Sequence, residues 1–133
     1  MELAPATVDR LLESARRAQR NAYAPYSRFP VGAAVLVEDG RVFLGCNVEN
    51  SSFGLTVCAE RNAVAAAVVA GARPVAAAVV ANQDNIVPCG ACRQVLAEFD
   101  PEMPLVLGAA TGDACSVISL AALLPAAFKF IAP

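Results

Sequence analysis

A mixed five-stranded sheet with helices on both faces, a three-layer α/β/α arrangement, is the fold this sequence predicts. Three observations lead there. Helical apolar periodicity alternates along the chain with short runs rich in Val and Ala. Asp39-Gly40 joins two such runs as a tight hairpin, since glycine tolerates the positive φ that the turn demands. Pro74 to Ala81 is apolar at almost every position, which suits a strand covered on both sides.

The first element is a helix from about Thr7 to Arg20: Val8, Leu11, Leu12 and Ala15 form an apolar stripe, while Asp9, Arg10, Glu13, Arg16 and Arg17 face water. Thr7 is its expected cap. Asn21 to Pro30 is irregular and holds Tyr23, Tyr26 and Phe29, too aromatic for a plain linker. Val31 to Glu38 and Arg41 to Val48 are the hairpin strands, and Asn47 to Gly54 is a polar loop. A second helix starts at Thr56 or Val57 and runs to about Ala70, stopped by Gly71. After the strand at Pro74 to Ala81, a helix runs from near Cys89 to about Phe99, Leu105 to Gly108 is a strand, and Ser116 to Ser119 is a turn or short strand. Leu120 to Ala127 is a last helix with Pro125 near its end. The 133 residues suit one domain, 1–133.

Ten basic and twelve acidic residues give a net charge of −2 with no basic run, which argues against a nucleic acid polymer as partner. Gly71, Arg73 and Pro74 interrupt the longest apolar stretch, so no membrane span is expected, and the N-terminus lacks the basic-then-apolar order of a signal peptide. Five cysteines without secretory context argue against disulfide stapling and place the protein in the cytoplasm. An apolar fraction of 57% and a mean hydropathy of +0.53 are high for a small monomer and point to burial between identical subunits.

Cys58-Ala59-Glu60 and, thirty-one residues later, Cys89-Gly90-Ala91-Cys92 carry the chemistry. Zinc takes four ligands and accepts thiolates readily, and a cysteine pair at a helix start can turn both sulfurs to one point. Cys58 at the other helix start supplies a third. The chain has no histidine, and Cys46 and Cys115 lie in apolar strand-like settings where buried core cysteine is the expected state. Three protein ligands leave one position for water, the mark of a catalytic rather than a closed structural site. Glu60 stands where a carboxylate can move that water's proton. Three thiolates around Zn(II) leave a charge of about −1, so Arg61 is read as support for a thiolate, the alternative being a surface or interface salt bridge. Arg93 and Gln94 divide evenly between such roles. Asn47 and Glu49 project to one side after the second strand and suit the hydroxyls of a ribose, although polar residues there also make ordinary turns.

Taken in order, Pro25-Tyr26-Ser27-Arg28-Phe29-Pro30-Val31-Gly32-Ala33-Ala34, Gly45-Cys46-Asn47-Val48-Glu49-Asn50, Cys58-Ala59-Glu60-Arg61, Pro88-Cys89-Gly90-Ala91-Cys92-Arg93-Gln94 and Leu123-Leu124-Pro125 with Phe128 resemble the small homotetrameric zinc-dependent cytidine deaminases over nearly the whole chain. The resemblance implies the cytidine deaminase-like fold and one Zn(2+) per subunit held by Cys58, Cys89 and Cys92. It assigns Glu60 as proton shuttle, Asn47 and Glu49 to the sugar hydroxyls, Phe29 to the pyrimidine, and Phe128 to a base bound in a neighbouring subunit. Phe130 could exchange roles with Phe128, backbone near Ala59 would orient the base edge, and Phe53 replaces a tyrosine common among relatives. The implied reaction is hydrolysis of cytidine and 2'-deoxycytidine to uridine and 2'-deoxyuridine with release of ammonia, in pyrimidine salvage. A blasticidin-like aminopyrimidine substrate and a structural zinc module are the rival readings.

Overall fold

The computed structural model describes residues 2–132. Helix α1 (Pro5–Gln19) precedes the hairpin of β1 (Gly32–Val37) and β2 (Val42–Cys46), followed by helix α2 (Ala59–Val69), β3 (Pro74–Ala81), helix α3 (Gly90–Ala97), β4 (Pro104–Ala109), β5 (Cys115–Ser119) and a four-residue α4 (Leu120–Leu123). The sheet order is β2-β1-β3-β4-β5, with β3 and β4 parallel and the other neighbours antiparallel. This is the expected three-layer α/β/α fold with a mixed five-stranded sheet.

Side chains that alternate along a strand leave its two faces, and here they divide into two cores. Ala33, Val35, Val37, Ala77, Val79, Leu105 and Leu107 pack against Ala63, Val64 and Ala67 of α2 and Leu96 of α3. Ala34, Ala76, Ala78, Val80 and Val106 pack against Leu11, Leu12 and Ala15 of α1. β3 contributes to both cores, which is why its sequence shows no polar alternation.

Two glycines set how closely the helices approach the sheet. A Cβ on Gly32 would stand 2.0 Å from the Ala15 carbonyl oxygen of α1, and one on Gly45 would stand 2.3 Å from the Ala59 carbonyl oxygen and 2.4 Å from the Ala63 nitrogen of α2. α1 and α2 therefore rest on the sheet where a side chain is missing, one on each face.

Several expectations are corrected. α1 starts before Thr7: Pro5 occupies the first turn, where a missing N–H costs nothing, and Ala4 is the cap residue without a side-chain bond. α2 begins at Ala59 with Cys58 as its cap residue. The last helix ends at Leu123 rather than Ala127, since Leu124 precedes Pro125 and residues before proline avoid the helical region; Ala126 then turns at φ 52°. Cys115 is exposed on the edge strand β5 rather than buried, and Cys46 is half-buried. The loop after β2 contains a 3-10 turn at Phe53–Leu55.

Candidate active site

Cys58 and Cys89 are the cap residues of α2 and α3, both with extended backbone and neither bonding its own helix through its side chain, so both sulfurs are free to point elsewhere. Cys92 follows in the first turn of α3. The N–H groups of a first helical turn lack intrahelical partners and favour negative charge, which suits thiolates. The three sulfurs lie within 4.8 Å of one another, and Cys58 Sγ is 3.8 Å from Cys89 Sγ. Sulfurs bound to zinc at about 2.3 Å in a tetrahedron stand about 3.8 Å apart, so this donor set and spacing fit that ion. Neither Cys46 nor Cys115 joins the group. Cys89 is exposed, Cys58 half-buried and Cys92 buried, so the cluster opens toward solvent on one side only.

Charge is already uneven among the thiols. A hydrogen bond from Cys92, and then the Arg61 guanidinium, hold Cys58 well below the usual thiol range, at about 5. Cys92 moves the opposite way, because it gives its proton toward Cys58 and is buried. Arg61 Nη2 lies 3.4 Å from Cys58 Sγ, and that contact strengthens the guanidinium's hold on its proton. Arg61 Nε is buried without a partner. Glu60 is 5% exposed, and burial pushes its carboxyl up to about 7, with the Cys58 charge adding to the effect. A carboxyl balanced near neutrality can both accept and release a proton.

The polar residues that follow β2 hold the loop before β1. Asn47 is buried; its Oδ1 accepts from the Val31 N–H at 2.9 Å and its Nδ2 donates to the Phe29 carbonyl at 2.9 Å, bracketing Phe29. Glu49 accepts from the Tyr26 and Ser27 backbone N–H groups at 2.9 and 3.1 Å and from the Ser27 hydroxyl. These bonds lower its carboxyl pKa, the Ser27 hydroxyl contributing most. Tyr26, Ser27, Glu49, Phe53 and Thr56 line a cavity of about 250 Å³, where the Tyr26 and Phe53 rings stand 5.7 Å apart. A larger cavity of about 460 Å³ beside Arg16, Gln19 and Arg20 contains none of the cysteines or acids of the site. Phe29 is half-buried and Ala59 fully buried, whereas Phe128 is 72% exposed and lines neither cavity.

Sequence reasoning left four features unread. Ser27 and the Tyr26 amide anchor Glu49. Gly45 seats the Cys58–Glu60 turn, a role that a lone glycine in an apolar strand could have signalled. Arg93 donates to the Pro88 carbonyl at 2.7 Å and the Leu123 carbonyl at 2.9 Å, tying the segment before Cys89 to the C-terminal region. Gln94 donates to the Phe128 carbonyl at 3.0 Å. Arg93 and Gln94, whose sequence context divides evenly between thiolate support and surface roles, both make bonds within the chain.

Residues 5–107 match the family described as the cytidine and deoxycytidylate deaminase zinc-binding region. The cytidine deaminase of Sporosarcina psychrophila is 50% identical over 125 residues, 92% of this chain and 91% of that protein. The crystal structure of cytidine deaminase from Burkholderia pseudomallei superposes with a TM-score of 0.84 at 51% identity, over 90% of this chain and 98% of that one. That of the Mycobacterium tuberculosis enzyme superposes with a TM-score of 0.78 at 45% identity, over 92% and 97%.

Proposed function

The chain belongs to the zinc-binding cytidine and deoxycytidylate deaminases, and from that premise we propose that Cys58, Cys89, Cys92 and Glu60 form its active site. It is a zinc-dependent hydrolase that converts cytidine and 2'-deoxycytidine, with water, to uridine and 2'-deoxyuridine plus ammonia. The observation that carries this reading is three thiols within 4.8 Å of one another at two helix starts, next to a buried carboxyl.

Cys58, Cys89 and Cys92 would hold the metal, which supplies the Lewis acidity that makes water a nucleophile at neutral pH. Glu60 takes the proton from the attacking water and places it on N3 of the base, which leaves C4 open to attack. It then takes the proton of the new C4 hydroxyl and passes it to the departing amine, so that C4 becomes a carbonyl as the C–N bond breaks and ammonia leaves. Burial supports this role, because a carboxyl at about 7 exchanges protons in both directions near neutral pH. Arg61 offsets thiolate charge through Cys58 Sγ. The Ala59 N–H, at a helix start without an intrahelical partner, orients the base edge. Asn47 and Glu49 take part in sugar binding, and their bonds to residues 26–31 give them a second task, holding Phe29 against the pyrimidine.

The working unit is a homotetramer in which Phe128 of one subunit reaches the base bound by another. Phe53, Leu55, Val69, Phe128 and Ile131 are each at least 66% exposed in the single chain, which supports burial between copies. One 1–133 domain carries each site's metal ligands. No helix among the described residues is long and apolar enough to cross a membrane, all five cysteines are free, and a cytoplasmic setting agrees with both.

The test follows the loss of aminopyrimidine absorbance with cytidine, deoxycytidine, cytosine and blasticidin, alongside X-ray absorption of the zinc-loaded protein. Turnover of the two nucleosides and a shell of three sulfurs plus one light atom are expected. Four sulfurs would instead indicate a structural zinc module, and turnover of blasticidin alone a different substrate.

A further inference from the structure

The outer surface of α3 grips the C-terminal tail at three points. Arg93 Nη1 donates to the Leu123 carbonyl at 2.9 Å, Gln94 Nε2 donates to the Phe128 carbonyl at 3.0 Å, and Lys129 Nζ donates to the Glu98 carbonyl at 2.9 Å and the Glu98 carboxylate at 3.0 Å. Leu123, Leu124 and Ala127 pack against the core on the same side of the sheet, and Ala126 turns the chain between them. The tail is thus fixed along its backbone, yet Phe128, Phe130 and Ile131 are 72%, 73% and 83% exposed. An unanchored tail could fold its aromatic rings onto its own surface. This one is held so that they face outward, an arrangement that suits apolar groups presented to a second surface. The helix that does the holding also starts with Cys89 and Cys92, and Arg93 bonds both the segment before Cys89 and the tail.

We infer that α3 is a bracket joining two sites: Gln94 and the Glu98–Lys129 pair are positioning residues that set where the Phe128 ring stands, so the helix bearing two metal ligands of one site also aims an aromatic side chain at the substrate of another. The inference rests on the proposed role of Phe128 and adds the residues that place it. Gln94 acts through the Phe128 carbonyl, which fixes the backbone next to the ring. Lys129, one residue later, prevents the chain from swinging about that bond.

The test uses the full-length, zinc-loaded protein with Gln94→Met, which keeps the side chain's length and removes its donor, Glu98→Ala, and Phe128→Ala. Three measurements are made on each: zinc per subunit, KM and kcat for cytidine, and the rate of tryptic cleavage after Lys129. Phe128→Ala is expected to raise KM by about tenfold, the scale of losing one aromatic face against a base. Gln94→Met and Glu98→Ala are each expected to raise KM several-fold, with kcat within about twofold, zinc at one per subunit and faster cleavage after Lys129. Gln94→Lys, which restores a donor of similar reach, should return KM and the cleavage rate toward the parent values. The bracket is overturned if Phe128→Ala raises KM while Gln94→Met leaves both KM and cleavage unchanged. It is also overturned, through the reading beneath it, if Phe128→Ala leaves KM unchanged; faster cleavage in Gln94→Met would then identify an anchored tail that does not serve catalysis.

Discussion

Gly45→Ala is the substitution whose consequence the structure defines most sharply. The added methyl would stand 2.3 Å from the Ala59 carbonyl oxygen and 2.4 Å from the Ala63 nitrogen. Both are backbone atoms of one helix, so no flexible side chain can absorb the collision. Reaching ordinary contact requires α2 and β2 to separate by about 1 Å. Ala59 lies between Cys58 and Glu60, so the displaced turn carries a metal ligand and the proposed proton carrier together. Overpacking of this kind costs roughly 1–3 kcal/mol, a fall in Tm of roughly 3–10 °C for a chain this size. A misplacement of about 1 Å costs about 100-fold in turnover. The assay is kcat for cytidine on zinc-saturated protein, with Tm and zinc affinity measured in parallel. Gly32→Ala is the control: its methyl would meet the Ala15 carbonyl oxygen at 2.0 Å, but under α1 on the opposite face. It should lower Tm to a similar or greater extent with a much smaller loss of turnover. If Gly45→Ala kept kcat within twofold of the parent, the argument that the glycine seats the catalytic turn would fail.

Other perturbations separate the remaining parts of the site. Glu60→Gln should retain one zinc per subunit and the parent's circular dichroism while kcat falls by roughly 10²–10⁴-fold or more; near-normal turnover would remove Glu60 as proton carrier. Cys89→Ala should lose zinc on dialysis and lower Tm, since the metal would tie the start of α3 to that of α2; a zinc content unchanged by metal analysis would exclude Cys89 as a ligand. Asn47→Ala removes both bonds bracketing Phe29 and strands a half-buried N–H and carbonyl, a cost of about 1 kcal/mol. Its KM should rise more than its kcat falls, and a parent-like Tm would show that the bracket contributes little.

Much of this molecule was legible without coordinates, and the reasons differ by element. Pro74–Ala81 was readable to the residue because a strand buried on both faces has a long, uninterrupted apolar run bounded by polar loops. The meeting of Cys58, Cys89 and Cys92 was readable because tetrahedral sulfur coordination restricts cysteine spacing tightly, so that two short motifs and the absence of histidine single out these three thiols. Local competition decided the misread boundaries. Pro5 could open α1 ahead of the better capping residue Thr7, and Pro125 shortened the last helix although its residues favour helix. Cys115 was misplaced because an apolar run does not reveal whether its strand is central or at an edge; β5 lies at the edge beyond the cover of α1.

Residue chemistry and spacing along the chain were enough to specify a cluster of three thiols able to hold a metal, a carboxyl beside it and an alternating α/β order, because each depends on neighbours within a few positions or on a stereotyped motif. Three further properties depended on chain segments meeting in space. Glu60 is moved toward neutrality by burial under the sheet. Asn47 and Glu49 are committed to a loop some twenty residues earlier. Arg93 and Gln94 meet the C-terminal region thirty or more residues later. Burial and long-range hydrogen bonding are properties of the packed chain, and they set a readable cluster of candidate metal ligands beside a buried carboxyl and a hydrogen-bonded loop.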